Sequence, residues 1–138
     1  MYIYSQNTLT AEEWQYLRTF TDWPIHSLAT FSKALDGSLF TISVYHDTQI
    51  IAMGRLIGDC SVCFYLQDII VLPQYQKQGI GHSIVKHILQ YISNCITNPA
   101  TVALMSSKGS EPFYENLGFE KREGSFNGYG MELIIYPN

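Results

Sequence analysis

Six residues in the middle of the chain, Gln76-Lys77-Gln78-Gly79-Ile80-Gly81, have the types and spacing to hold a phosphorylated ligand. Two glycines one residue apart let the backbone turn tightly and leave nothing above the amides that follow. Ile80, Ile84, Val85, Ile88, Leu89 and Ile92 then recur as the stripe of an amphipathic helix against a sheet, which puts those amides at a helix entrance. Unpaired N–H groups and the positive end of the helix dipole make such an entrance a site for phosphate, with the Lys77 ammonium nearby. Spacing excludes two common phosphate loops. A Walker loop needs Gly-x4-Gly-Lys-Ser/Thr, which is absent, and a dinucleotide fingerprint needs a third glycine where Ile84 stands.

The elements that carry this loop can be read on either side of it. Phe64, Tyr65, Leu66, Ile69, Ile70, Val71 and Leu72 form an apolar run closed by Pro73, a largely buried strand that ends where proline cannot donate to the ladder. Upstream, Thr10 with Glu13 predicts a capping box for a helix over residues 11–18, with Trp14, Leu17 and the stem of Arg18 facing inward. A second helix is expected over residues 26–35. Residues 39–45 and 49–57 read as a hairpin turning at His46-Asp47-Thr48. Downstream, residues 101–105 read as a short strand. Ser110 is placed to cap a short helix that Gly118 ends in a left-handed conformation, and residues 119–122 and 129–136 read as a last pair of strands.

Composition narrows the class. The chain has 138 residues, 46% hydrophobic and 14% charged, which is a globular composition of single-domain size, and one domain over 1–138 is expected. A net charge of -4 argues against a general nucleic-acid binder. No apolar run reaches membrane-spanning length and the start lacks the pattern of a secretion signal, so a cytoplasmic protein without membrane contact is expected. Three cysteines, Cys60, Cys63 and Cys95, fit reduced thiols better than a disulfide framework. Cys60 and Cys63 have no second pair to complete a metal site, and none is read.

The pattern Gln-x-x-Gly-x-Gly at Gln76 to Gly81, behind a strand ending Val71-Leu72-Pro73, resembles the acetyl-CoA signature of the GNAT superfamily of N-acetyltransferases. Pro112-Phe113-Tyr114-Glu115-Asn116-Leu117-Gly118-Phe119 resembles the second signature of the same superfamily, and the likeness runs from about Gln49 to the C-terminus. It implies an α/β (α+β) GNAT fold: a mixed, mostly antiparallel sheet of six or seven strands with helices on both faces. It also implies acetyl transfer from acetyl-CoA, with no metal, to a primary amine by direct attack. The coenzyme would be held by main-chain groups of Ile69, Ile70 and Val71, with the pantetheine arm lying between that strand and the one at 102–105. Gln76, Lys77, Gln78, Gly79, Ile80 and Gly81, followed by His82 and Ser83 at the helix entrance, would take the phosphates.

The remaining candidates each carry two readings. Tyr114 matches the tyrosine that protonates the departing thiolate in many relatives; the other reading is that it packs or hydrogen-bonds the coenzyme sulfur. Asp68, in an otherwise apolar strand, is the candidate general base, or else a carboxylate satisfied by Arg55 or by backbone amides. Many relatives place a glutamate on the central strand where this chain has Tyr65. Trp23, His26 and Phe31 would wall the acceptor cleft or, for the aromatics, serve as core contacts. Arg55 would reach that cleft or form a hairpin-end salt bridge with Asp59. A small amine is the expected acceptor, with a peptide or protein acceptor and a non-catalytic acetyl-CoA sensor as alternatives. The oligomeric state is left open, a homodimer included.

Overall fold

The structure of the protein, a computed structural model, describes residues 1–124 and 126–138. It divides into two compact units, Met1–Leu104 and Met105–Asn138.

The first unit is built on a five-stranded sheet in the order β1-β2-β3-β4-β5. Its elements in chain order are β1 (Tyr2–Gln6), α1 (Ala11–Arg18), α2 (Leu28–Asp36), β2 (Phe40–His46), β3 (Gln49–Gly58), β4 (Cys63–Val71), α3 (Ile80–Cys95) and β5 (Thr101–Ala103). The first four strands pair antiparallel, and α3 is the crossover that brings β5 back parallel to β4. The hairpin read around His46 is therefore present as β2–β3. β1 was not anticipated: Tyr-Ile-Tyr-Ser-Gln has a weak apolar face, with Ile3 exposed, and is held by its ladder with β2 from Tyr2↔His46 to Gln6↔Ile42.

Helices cover both faces of this sheet. Arg55 of β3 lies against Trp14 of α1, while a Cβ added to its neighbour Gly54 would fall 2.5 Å from Ile84 Cγ2 and 3.0 Å from Ile88 Cδ1 of α3. Successive residues of a strand point to opposite faces, so α1 and α3 lie on opposite sides of β3. Gly54 is what lets α3 approach so closely. The core between these layers is made by Ile42, Val44, Ile51, Met53, Leu56, Phe64, Leu72, Ile84 and Ile88, all without exposure.

Local sequence explains the helix ends. Thr10 Oγ1 accepts from Glu13 N at 3.1 Å and Glu13 Oε1 accepts from Thr10 N at 3.0 Å, the capping box read from the sequence. α2 begins at Leu28, two residues later than expected, because Ser27 is its cap and accepts from Thr30 N.

In the second unit α4 (Glu111–Asn116) is the regular element among the described residues. Ser110 precedes it but makes no side-chain cap. Residues 119–122 and 129–136, expected as a closing strand pair, form no ladder; Arg122 Nε instead donates to Gly128 O at 2.7 Å. The sheet has five strands rather than six or seven for that reason.

Candidate active site

β4 hands the chain directly to the glycine loop. After Val71, Leu72 N donates to Ile51 O at 2.9 Å, and Pro73–Tyr75 make one 3-10 turn. Lys77 (φ +62) and Gly79 (φ +83) are left-handed, and Gly79 is the N-cap of α3. Only glycine adopts that conformation without cost, and open space surrounds the position of its absent Cβ. Gly81 lies in the first helical turn, so of the two glycines only Gly79 makes the turn, and Gly81 leaves room beside the amides. No side chain caps α3, and among the described residues the amides of Ile80, Gly81 and His82 have no protein acceptor. Ser83 N donates to Gly79 O at 3.0 Å and closes the bare set.

The glutamines of the motif hold the loop by their side chains. Gln76 Nε2 donates to Val71 O at 2.9 Å, and Gln78 Oε1 accepts from Tyr2 OH at 2.6 Å. Tyr75 and His46 stand edge-on to Tyr2, and His46 Nδ1 is 2.9 Å from Tyr75 OH. Strand β1, overlooked in the sequence, therefore buttresses the loop.

Within the first unit, the β4 edge facing β5 carries a ladder over only part of its length. Parallel pairing covers only Cys63, Phe64 and Tyr65, opposite Thr101, Val102 and Ala103. Alternate residues of an antiparallel strand turn their backbone groups to opposite sides. Since Leu72 N points to β3, Val71 and, two back, Ile69 turn theirs to the open edge, and Ile70 turns its own to β3. Upstream of these residues β4 bulges: Gln67 opposes Arg55 and Ile70 opposes Met53, so Asp68 and Ile69 share Gly54. Asp68 takes φ +53 there, a conformation aspartate tolerates better than most side chains.

Asp68 is buried, and its partner is neither Arg55 nor the backbone. Arg18 grips it through Nε to Oδ2 at 2.8 Å and Nη2 to Oδ1 at 3.1 Å, and Trp14 Nε1 also donates to Oδ2. Both oxygens are thus occupied, an arrangement suited to bracing the bulge and ill suited to collecting a proton from an acceptor. Arg18 Nη1 donates to Pro24 O, and its Cζ lies 5.9, 5.5 and 5.7 Å from the Trp14, Trp23 and Phe31 rings. Arg18 was legible only as an inward-facing stem; nothing local marks its carboxylate partner fifty residues away.

Arg55 is 7% exposed. It donates from Nε to Ser38 Oγ at 2.9 Å and from Nη1 to Gln67 Oε1, and its Cζ lies 4.7 Å from the Trp14 centroid. Burial lowers its pKa from the ordinary value, against the opposing pull of Asp68. The Arg55–Asp59 bridge does not form: Asp59 Oδ1 accepts from the amides of Val62, Cys63 and Ser61, which hold its pKa below the usual carboxylate range. Phe31 is 1% exposed and packs 4.5 Å from Trp14. Phe31 and Arg55 are thus interior groups, which for Phe31 matches the alternative of a core contact, whereas Trp23 is half-buried and His26 exposed.

In the second unit the end of α4 fixes Tyr114. Gly118 (φ +98) donates to Glu115 O at 3.0 Å and Phe119 N to Tyr114 O at 3.1 Å, the paired bonds of a Schellman motif. The apolar contact that accompanies this motif is Phe119 against Tyr114, edge-on at 5.8 Å, with Phe113 at 5.0 Å. Burial pushes the Tyr114 phenol above its ordinary value of 10.0.

The acetyltransferase (GNAT) domain model matches residues 5–136, and the chain belongs to the GNAT acetyltransferase family. A crystal structure of a Staphylococcus aureus protein of unknown function superposes with TM-score 0.89 at 31% identity, over 99% of this chain and 100% of that one. A GNAT-family acetyltransferase from Streptococcus pneumoniae superposes at 0.83 and 26% identity, over the same shares. A soybean protein named histone acetyltransferase TAP1 is 24% identical over 127 residues, which cover 84% of this chain and 52% of that protein. The chain spans about half the length of the two soybean relatives it matches.

Proposed function

We propose that this protein moves an acetyl group from acetyl-CoA to the primary amine of a small molecule by direct attack, with both units forming one catalytic domain. The observation that carries the reading is the uncapped entrance of α3, whose amides at Ile80, Gly81 and His82 are unspent beside an open strand edge. A diphosphate on those amides lays the pantetheine arm along β4, where Ile69 offers its backbone groups and Val71 its N–H, the Val71 carbonyl being held by Gln76. The amine lone pair attacks the thioester carbonyl, and backbone N–H groups at the bulged strand stabilise the oxyanion. Collapse expels the CoA thiolate, which Tyr114 protonates. Asp68 positions the bulge through Arg18, so the amine's proton leaves through water. Trp23 and His26 are the acceptor-side residues of this reading.

Among the described residues no helix is long and apolar enough to cross a membrane. Three free thiols support a reducing compartment, the cytoplasm.

A protein acceptor is the second reading, favoured by the printed name of the soybean relative. Thiol release from acetyl-CoA, measured against small diamines, amino sugars and a lysine peptide, separates the cases. Turnover with small amines is expected. Turnover with the peptide alone makes the acceptor a protein, and tight CoA binding without turnover makes the protein a sensor.

A further inference from the structure

Among the described residues of the first unit three charged side chains are buried, Arg18, Arg55 and Asp68, and their charges do not cancel. Asp68 spends both oxygens on Arg18 and Trp14, and among the described residues no carboxylate pairs with Arg55. The contacts of Arg55 are neutral: Ser38 Oγ accepts from Nε, Gln67 Oε1 accepts from Nη1, and the Trp14 ring stands 4.7 Å from Cζ. A buried cation without a counter-charge is costly until an anion completes it. Nη2, with two N–H groups, has no acceptor among the described residues. Ser43 Oγ is the one fully buried side-chain polar atom left without a partner among them, so Nη2 is not sealed in and can meet an arriving ligand.

The place of Arg55 in the sheet says which anion that is. Arg55 stands opposite Gln67 in the β3–β4 ladder, and the bulge residues Asp68 and Ile69 follow Gln67 directly. An acceptor that attacks a thioester held along β4 from the α1 face therefore comes in beside this guanidinium. We propose that Arg55 binds a carboxylate of the acceptor, so that the molecule acetylated is an amino acid or another small amino carboxylate; this rests on the acetyl-transfer reading above. A guanidinium presents its N–H groups as a fork that matches a carboxylate, and it is weakly enough hydrated to do so in a buried setting. A plain alkylamine would leave the Arg55 charge uncompensated, and the second ammonium of a diamine would be repelled by it.

Acceptors matched except at the carboxylate test this with the full chain: leucine against leucinol, and γ-aminobutyrate against butylamine. In thiol release from acetyl-CoA, kcat/KM is expected to favour the carboxylate member of at least one pair by about 10- to 100-fold, mostly through KM. Arg55→Met is expected to bring that ratio to about one. Arg55→Lys, which keeps the charge and loses the fork, is expected to give an intermediate ratio and stands in if the methionine variant fails to fold. The Arg55 Nε–H signal in proton–nitrogen NMR of the wild type, with CoA present, gives a readout that needs no turnover. It is expected to shift with leucine or γ-aminobutyrate and to stay in place with leucinol or butylamine. Equal turnover within both pairs overturns the carboxylate site and leaves acetyl transfer standing. Absence of thiol release from all four contradicts the acetyl-transfer reading instead, and the NMR signal then decides the carboxylate site: no shift with either carboxylate overturns it.

Discussion

The Asp68 carboxylate receives two parallel hydrogen bonds from the Arg18 guanidinium, across fifty residues of sequence, at the one bulged point of β4. Removing one partner of a buried pair leaves the other charge unsolvated, which costs about 3–5 kcal/mol. Asp68→Asn, which keeps a side chain tolerant of φ +53, is therefore expected to lower unfolding free energy by about 3 kcal/mol in urea titration. Adding Arg18→Met is expected to restore part of it, since the two residues act as one unit. A stable Asp68→Asn protein that has lost the rising limb of its pH–rate profile would make Asp68 the base instead.

Tyr114→Phe removes the proposed proton donor while keeping the ring against Phe113 and Phe119. The expected loss in kcat is about 10²-fold or more, with the calorimetric Kd for CoA unchanged. Because burial raises the phenol's pKa, the proton is retained to higher pH than in a free tyrosine. The wild-type kcat is expected to show no fall from Tyr114 ionisation up to about pH 9. Matching profiles for parent and variant would leave Tyr114 a packing residue.

Gln76 Nε2 bridges the loop to the last carbonyl of β4. Gln76→Ala is expected to weaken CoA binding about 2- to 13-fold, the worth of one hydrogen bond of about 0.5–1.5 kcal/mol. Its kcat at saturating coenzyme is expected to change little. An unaltered Kd would mean that the loop keeps its shape without this bond.

Gly54→Ala places a methyl 2.5 Å from Ile84 Cγ2, in the layer that seats α3 on the sheet. Overpacking of this kind costs about 1–3 kcal/mol. Thermal unfolding is the check, and an unchanged Tm would show that α3 has room to move away.

The loop, its helix, the β2–β3 hairpin and the capped α1 were legible because each is written in contiguous residues whose period or turn chemistry is local. Gly79 illustrates this: glycine at a helix entrance announces its own left-handed turn. The partners of Asp68 were not legible, because Arg18 and Trp14 reach it only once the sheet and α1 have packed. The burial of Phe31 and Arg55 was not legible for the same reason, being a product of three elements meeting. β1 escaped notice because the strength of Tyr2–Gln6 lies in its ladder with β2. The expected closing strands at 119–122 and 129–136 form no ladder, and a run of apolar residues alone does not make a sheet.

The central claim is that unspent amides following Gly79 grip the coenzyme diphosphate, and a crystal structure of the CoA complex measures it directly. Diphosphate oxygens at hydrogen-bonding distance, about 3 Å, from the nitrogens of Ile80, Gly81 and His82 are expected. A diphosphate bound elsewhere, with those nitrogens still facing water, would contradict the account.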